Sequence, residues 1–157
     1  MVRFSALFPL AALVVLPLST VSARAADAPA DPCSLLPAAT VSSTLGDTYG
    51  APQKSVAPRP FPNTVQGTEC HYETANGRHE LLFRVYFDHS ASEATALHAK
   101  LKMWFGSGLT PATVGDEAYV DANHALHARK GNVRFFLDGV RDQTKMTSLG
   151  NAVAGQL

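Results

Sequence analysis

The chain is poor in charge, in cysteine and in long apolar segments. Its 157 residues include 13 basic and 13 acidic side chains, 17% of the sequence, which gives a formal net charge of zero. Without a basic block, the sequence lacks the electrostatic footprint of a nucleic-acid-binding protein. With 46% hydrophobic residues it is also too apolar for an intrinsically disordered chain. The composition therefore predicts a folded protein that does not bind nucleic acid.

The one long apolar run lies at the amino terminus. It covers residues 4–18 and is interrupted by Pro9 and Pro17. This run is shorter than the roughly 20 residues that cross a bilayer, and Ala23-Arg24-Ala25 fits a signal-peptidase site. We therefore predict a signal peptide over residues 1–25 rather than a transmembrane anchor.

Cleavage after residue 25 leaves 11 basic and 13 acidic side chains in the mature chain. No cysteine stands at the cleavage point to carry a lipid, and no later segment is apolar enough to span a bilayer. We predict a soluble protein, periplasmic or secreted, without a stable membrane anchor. Its expected organisation is a flexible leader over residues 26–32 followed by a single domain over residues 33–157.

The chain has only two cysteines, Cys33 and Cys70. An even number of cysteines in an exported chain favours a disulfide over a metal-binding pair or a catalytic thiol. The alternative is a nucleophilic Cys70 assisted by His71. Adjacent residues on a strand point to opposite faces, which argues against that pairing.

The periodicity of the mature chain predicts alternating helices and groups of strands. A weak helix ends at Gly46, and the proline-rich residues 50–67 are interpreted as a surface connection with a short edge strand, not as a binding element. A hairpin is predicted around Asn76-Gly77. The remaining elements are a capped helix from Ser90 to Gly106, a three-stranded meander over residues 118–138 and a terminal helix over residues 143–157 that Gly150 weakens.

This order of elements specifies the fold class. Short turns require antiparallel strands, so we predict an α+β fold with one twisted antiparallel sheet and helices packed on one face. The expected order is helix, two or three strands, helix, three strands, helix. In the second helix, Trp104 and Phe105 continue the apolar stripe and are expected in the core.

The last predicted strand has a candidate ligand-binding surface. If Phe135 faces the core, Phe136 and Arg134 point to the opposite face, because side chains alternate along a strand. Tyr119, from the first strand of the meander, completes this candidate site. An aromatic surface left open there would indicate a ligand or a protein partner, whereas cover by the terminal helix would make Phe136 part of the core.

Histidines near the hairpin suggest an alternative chemistry. His71 and His79 flank the Asn76-Gly77 turn and, with Glu69, Glu73 or Glu80, could bind a metal ion. The competing interpretation is that they are exposed hairpin residues, since no compact ligand motif is present. His79-Glu80 begins like a zinc-protease motif, but Phe83 occupies the position of the second histidine.

Several short motifs together resemble a known family. They are Asp31-Pro32-Cys33-Ser34-Leu35-Leu36, Cys70-His71-Tyr72 and Gly115-Asp116-Glu117-Ala118-Tyr119. In these the chain is similar to small exported bacterial proteins and lipoproteins of unknown function, best known from actinobacteria. The resemblance implies one α+β domain outside the cytoplasm with bridged cysteines, and it implies no reaction. The chain departs from the family pattern at Pro37 and lacks a lipidated cysteine.

No catalytic motif with a recognisable geometry is present, and no cofactor is predicted. We predict a binding module for a small molecule or a protein rather than an enzyme. The alternative is a metal-binding protein or a metal-dependent hydrolase that uses His71 and His79. The sequence leaves the ligand, the partner and the oligomeric state open.

Overall fold

The computed structural model describes residues 26–157, so the predicted signal peptide lies outside the described residues. The described chain begins with a short 3-10 helix, Pro32–Leu35. Its α-helices are α1 (Ala38–Leu45), α2 (Ala91–Phe105) and α3 (Gln143–Gln156), and its strands are β1 (Gln53–Ala57), β2 (Gly67–Glu73), β3 (Glu80–Phe87), β4 (Thr110–Ala112), β5 (Glu117–Val120), β6 (Leu126–Lys130) and β7 (Val133–Asp138).

All seven strands form one antiparallel sheet in the order β1-β2-β3-β7-β6-β5-β4. Two meanders, β1 to β3 and β4 to β7, join where β3 pairs with β7. The predicted α+β class with a single antiparallel sheet is confirmed. The short strand β4 has no counterpart in the predicted order of elements, because Pro111 and its neighbours give no alternation.

One face of the sheet carries the main hydrophobic core. The 3-10 helix with the residue that follows it, α1 and α3 cover this face with Leu36, Val41, Met146 and Leu149, all fully buried. They pack on inward-facing strand residues that include Cys70, Tyr72, Leu81, Phe83, Leu126, Phe135 and Leu137. Phe135 therefore faces the main core and Phe136 the opposite face, as predicted.

Helix α2 lies on the opposite face, which differs from the expectation that all helices share one face. Its His98 contacts the Tyr119 ring at 5.0 Å between centroids, and its Phe105 contacts His127 at 4.6 Å. Tyr119 alternates with Ala118 and Val120 of the main core, so it points to the other face. This face has its own aromatic residues on β5 to β7, which give α2 a surface to pack on.

The predicted disulfide is confirmed: Cys33 of the 3-10 helix is bonded to Cys70 of β2. Both cysteines are buried, and the Tyr72 hydroxyl donates a hydrogen bond to the Leu36 carbonyl beside them. Further along the sheet, Ala26 donates its N–H to Asn132 Oδ1 at 2.6 Å and accepts from Asn132 Nδ2 at 3.0 Å. The beginning of the described chain is thus attached to the turn before β7.

Candidate ligand-binding groove

A groove of about 400 Å³ lies between α2 and the sheet. Side chains from β3, β6 and β7 form its floor, the second half of α2 forms one wall, and the proline-rich segment between β1 and β2 forms the other. The lining residues are Pro58, Arg59, Pro60, Arg84, Tyr86, Leu101, Trp104, Phe105, His127, Arg134 and Phe136.

The floor follows from the strand register. Arg84, Phe136 and His127 lie directly opposite one another on β3, β7 and β6, so they form one row across the sheet. The Arg84 guanidinium lies 5.3 Å from the centre of the Phe136 ring. The His127 ring packs against the same Phe136 ring, with 5.0 Å between the ring centroids. The result is a flat aromatic surface with a cation at one end.

Tyr86 joins the floor to the proline-rich wall. Its hydroxyl donates a hydrogen bond to the Pro58 carbonyl at 2.8 Å. Its ring covers Gly67, where a Cβ atom would lie 2.5 Å from the ring and 2.9 Å from the Val85 carbonyl oxygen. Only glycine fits this close approach. The proline-rich segment, which was interpreted from the sequence as a surface connection, is therefore held against the sheet and forms a wall of the groove.

The second half of α2 projects apolar side chains that the fold does not bury. The helix begins with the predicted capping box, in which the Ser90 side chain accepts from the Glu93 N–H. Trp104 is nevertheless 68% exposed and Phe105 40% exposed. Their predicted core position is therefore wrong. Arg84 and Arg134 lie together with aromatic side chains in the floor beside them, and the helix and the sheet leave a groove between them.

Phe61 of the proline-rich segment contacts Trp104 of α2, although it does not itself line the groove. Its ring lies 5.6 Å from that of Trp104, and the Lys100 ammonium lies 4.2 Å from the Phe61 ring centre. The Lys100 side chain is exposed whereas Phe61 is buried, and a cation–π contact with an exposed cation contributes about 0.5–1 kcal/mol. These contacts attach α2 to the proline-rich segment, and the Tyr86 hydrogen bond attaches β3 to the same segment.

Three arginines line the groove, and they differ in whether a carboxylate neutralises their charge. Arg134 donates from Nε and Nη2 to the two carboxylate oxygens of Asp88, at 2.6 and 2.9 Å. Arg84 donates from Nε to Glu69 at 2.7 Å. Arg59 has a neutral partner, Gln66 Oε1, at 3.2 Å, and within residues 26–157 it forms no ion pair. Arg59 is therefore the cation with spare capacity for an anion.

A buried aromatic cluster lies behind the groove. His127 stacks on Tyr119 at 5.0 Å, and its Nε2 lies 3.0 Å from Asp121 Oδ2. Burial lowers the pKa of His127 although the Asp121 hydrogen bond opposes this effect, and burial lowers the pKa of His98 to about 4. Burial also raises the pKa of Tyr119. All three rings are thus uncharged at neutral pH.

Two of the three predicted ligand-binding residues lie in the groove. Phe136 and Arg134 are lining residues, whereas Tyr119 is 1% exposed beneath α2 and is separated from the groove by His127 and Phe105, two lining residues that its ring contacts. Sequence reasoning missed Arg59, Trp104 and the wall formed by the proline-rich segment. The period-two pattern of β7 was the only signal for this site, and it carries no information on which segments cover the strand.

The hairpin histidines are in different surroundings. His71 Nε2 lies 3.1 Å from Glu80 Oε2, and His71 Nδ1 lies 3.6 Å from Glu73 Oε1. His79 instead lies 3.9 Å from Asp47. His71 is therefore grouped with the carboxylates of Glu73 and Glu80. The three side chains lie near the hairpin end of β2 and β3, on the sheet face opposite the main core.

Among the helices of residues 26–157, none has both the length and the hydropathy needed to cross a bilayer. In comparisons with protein-family models, curated proteins and solved structures, the chain matches none of them.

Proposed function

We propose that this protein binds an amphipathic small molecule, with an apolar body and one anionic group, in the groove beneath α2. The observation that carries the proposal is the 68% exposure of Trp104 above a floor of aromatic and cationic side chains. Exposed apolar area that faces a concavity is a property of binding sites.

The dimensions and lining favour a small molecule. A volume of about 400 Å³ is within the range of ligand pockets, which are mostly apolar with a few placed polar groups. Phe136 below and Trp104 with Phe105 beside it offer aromatic surfaces to a flat or flexible apolar body. Burial of that body would contribute about 25 cal/mol per Å² of apolar area removed from water.

The charge of the lining favours an anionic group. Of the lining side chains, three are arginines and none is acidic. Asp88 and Glu69 already neutralise Arg134 and Arg84, so Arg59 is the expected partner of a carboxylate or sulfonate. A guanidinium binds such groups through two parallel hydrogen bonds, which would orient the ligand at the mouth of the groove.

Binding rather than catalysis fits the side chains available. The groove lining in the described residues includes no serine, threonine, cysteine, aspartate or glutamate. It therefore offers no carboxylate and no hydroxyl or thiol nucleophile of the common kinds. The Tyr86 hydroxyl is engaged with the Pro58 carbonyl, and His127 is hydrogen-bonded to Asp121.

We also propose that the protein is exported, to the periplasm or beyond the cell. The disulfide supports this location, because structural disulfides persist in oxidising compartments and are rare in the cytosol. The signal peptide predicted over residues 1–25 is the expected route. Mass spectrometry of the protein recovered from outside the cytoplasm should find Ala26 as the first residue.

Calorimetric titration with matched ligands tests the groove. We expect decanoate or biphenyl-4-carboxylate to bind, and the corresponding alcohols to bind at least about tenfold more weakly. Trp104 is the single tryptophan of the chain, so its fluorescence reports on occupancy at the groove. Failure of both acids to bind, or equal binding of acids and alcohols, would contradict the proposal.

Variants locate the bound molecule. Arg59→Gln should weaken binding of the acids about tenfold and leave binding of the alcohols unchanged, whereas Phe136→Ala should weaken both. Arg141→Gln is the matched control, since Arg141 is an exposed arginine outside the groove. An Arg141→Gln effect as large as that of Arg59→Gln would indicate general charge attraction instead of a site.

A further inference from the structure

The exposed end of the β2–β3 hairpin holds a compact group of metal-binding side chains. One donor atom each from His71, Glu73 and Glu80 lies within 4.8 Å of the others. The shortest contact is 3.1 Å, between His71 Nε2 and Glu80 Oε2. None of the three residues lines the groove of the proposed function.

The strand register fixes this grouping. Glu73 of β2 lies directly opposite Glu80 of β3, and His71 lies two residues before Glu73, on the same face of the sheet. All three side chains therefore extend from two hydrogen-bonded strands, which hold their backbone positions. A site on strands is held more firmly than one on a loop.

The two carboxylates lack a permanent counter-charge. Directly opposed like charges destabilise a strand pair. Within residues 26–157, neither Glu73 nor Glu80 forms an ion pair with a lysine or an arginine, and their one partner is His71. A bound cation would remove this repulsion.

The surface beside the cluster is acidic and concave. A cleft of about 310 Å³ is lined by His71 and Glu80 together with Glu69, Leu82, Asp138 and Gly139. Glu69 is paired with Arg84, whereas Asp138 accepts a hydrogen bond from the Gly139 N–H. The cleft thus gives a cation approaching His71 a path bordered by carboxylates.

From this geometry we propose that His71, Glu73 and Glu80 bind a divalent transition-metal ion of the zinc class. One imidazole nitrogen and one oxygen from each carboxylate would bind the ion, and water would complete its coordination. Ligand atoms about 2.0–2.1 Å from a tetrahedral zinc ion are about 3.3 Å apart. The contact between His71 Nε2 and Glu80 is already close to this separation. Glu73 contacts the other ring nitrogen, Nδ1, so its exposed side chain would turn towards Nε2 to complete the ligand set, within a cluster whose donor atoms lie within 4.8 Å of one another.

The imidazole distinguishes this site from a carboxylate site for calcium or magnesium. Hard cations select oxygen ligands, whereas zinc and copper bind imidazole strongly. His71 is therefore the residue that should determine which ion binds. His79, on the same hairpin but beside Asp47, should not take part.

Calorimetric titration of the disulfide-bonded protein with zinc chloride tests the site. We expect one zinc ion bound at micromolar concentrations, with His71→Ala and Glu73→Gln/Glu80→Gln each weakening binding at least about tenfold. His79→Ala is the matched control and should bind as the parent does. Because these side chains are exposed or partly exposed, their thermal unfolding midpoints should stay close to that of the parent.

A second readout identifies the ligand directly. Zinc should shift the ring resonances of His71 in NMR spectra and leave those of His79 and His124 unchanged. The proposal is overturned by the absence of heat at micromolar zinc, or by zinc binding that persists in His71→Ala. Calcium binding of similar affinity that His71→Ala leaves intact would also overturn it, since it would show a carboxylate-only site.

Discussion

Arg134 is a charged residue in a buried position, 2% exposed beneath the groove. It is held there by two hydrogen bonds to Asp88, and its guanidinium lies 5.1 Å from the Tyr86 ring centre. Asp88 is itself fixed, since its carbonyl accepts from Asn132 Nδ2. The pair places a rigid polar floor under the groove.

Removal of Asp88 should be strongly destabilising. In Asp88→Ala the Arg134 guanidinium stays buried without a counter-charge, which typically costs about 3–5 kcal/mol in the free energy of unfolding. Urea denaturation measures this change. Glu69→Ala is the matched comparison, because its partner Arg84 is partly exposed, and the expected cost there is about 1 kcal/mol or less. Similar losses in the two variants would show that burial of Arg134 is not the cause.

At the scale of elements, α3 shows why a glycine can stand within a helix. Gly150 was expected to weaken this helix, yet the helix runs without interruption from Gln143 to Gln156. A Cβ atom at Gly150 would lie 2.6 Å from Leu126 Cδ2 and 3.1 Å from Val114 Cγ1. The missing side chain is therefore what allows α3 to approach β6.

A pair of glycine variants on α3 should change stability in opposite directions. Gly155 has open space around its Cα, so Gly155→Ala should stabilise the protein by about 0.5–1 kcal/mol through helix propensity. Gly150→Ala gains the same propensity but must displace buried Leu126, which should make it destabilising by about 1–2 kcal/mol. Thermal unfolding of the two variants tests this. Stabilisation by both substitutions would mean that the contact between α3 and β6 is not close-packed.

Helix α2 marks the limit of prediction from the sequence. Its capping box and its apolar spacing located the helix correctly, because both signals are local. The exposure of Trp104 and Phe105 is not local, since it depends on a floor whose arginines come from β3 and β7. The proline-rich wall is equally non-local: its position is set by Tyr86 lying over Gly67.

At the scale of the whole molecule, the sheet has one covered face and one that is covered in part. The disulfide was predictable because the chain has only two cysteines, the antiparallel sheet because the turns are short, and the alternation of β7 because it follows a period of two. The hairpin and the meander were predictable as neighbouring strands, but the pairing of β3 with β7 was not, since it joins segments far apart in sequence. That pairing brings Arg84 beside Phe136 and thereby creates the groove.

The uncharged histidine behind the groove should make the stability of the whole protein depend on pH. His98 is 1% exposed, its Nε2 has no hydrogen-bond partner within residues 26–157, and its pKa is lowered from 6.5 to about 4 by burial. Below pH 6.5 the unfolded chain therefore binds a proton at His98 that the folded chain does not. The free energy of unfolding should fall as pH decreases from 6.5 to about 4, by about 1.4 kcal/mol per pH unit and about 3 kcal/mol in total.

Urea denaturation between pH 7.5 and pH 4 tests this dependence, with the parent compared to two variants. His98→Leu removes the titrating group and should reduce the loss of stability over this range by about 3 kcal/mol, leaving the smaller effect of His127, whose pKa is also lowered. His124→Asn is the control: His124 is exposed and has φ +70°, a conformation that asparagine tolerates, so its pH profile should follow that of the parent. A parent profile that His98→Leu leaves unchanged would show that other groups cause the acid sensitivity. If only His98→Leu reduces the dependence of the free energy of unfolding on pH, then His98 is the group that takes up the proton on unfolding. His98 packs on Tyr119, and this contact between α2 and the sheet supports one wall of the groove.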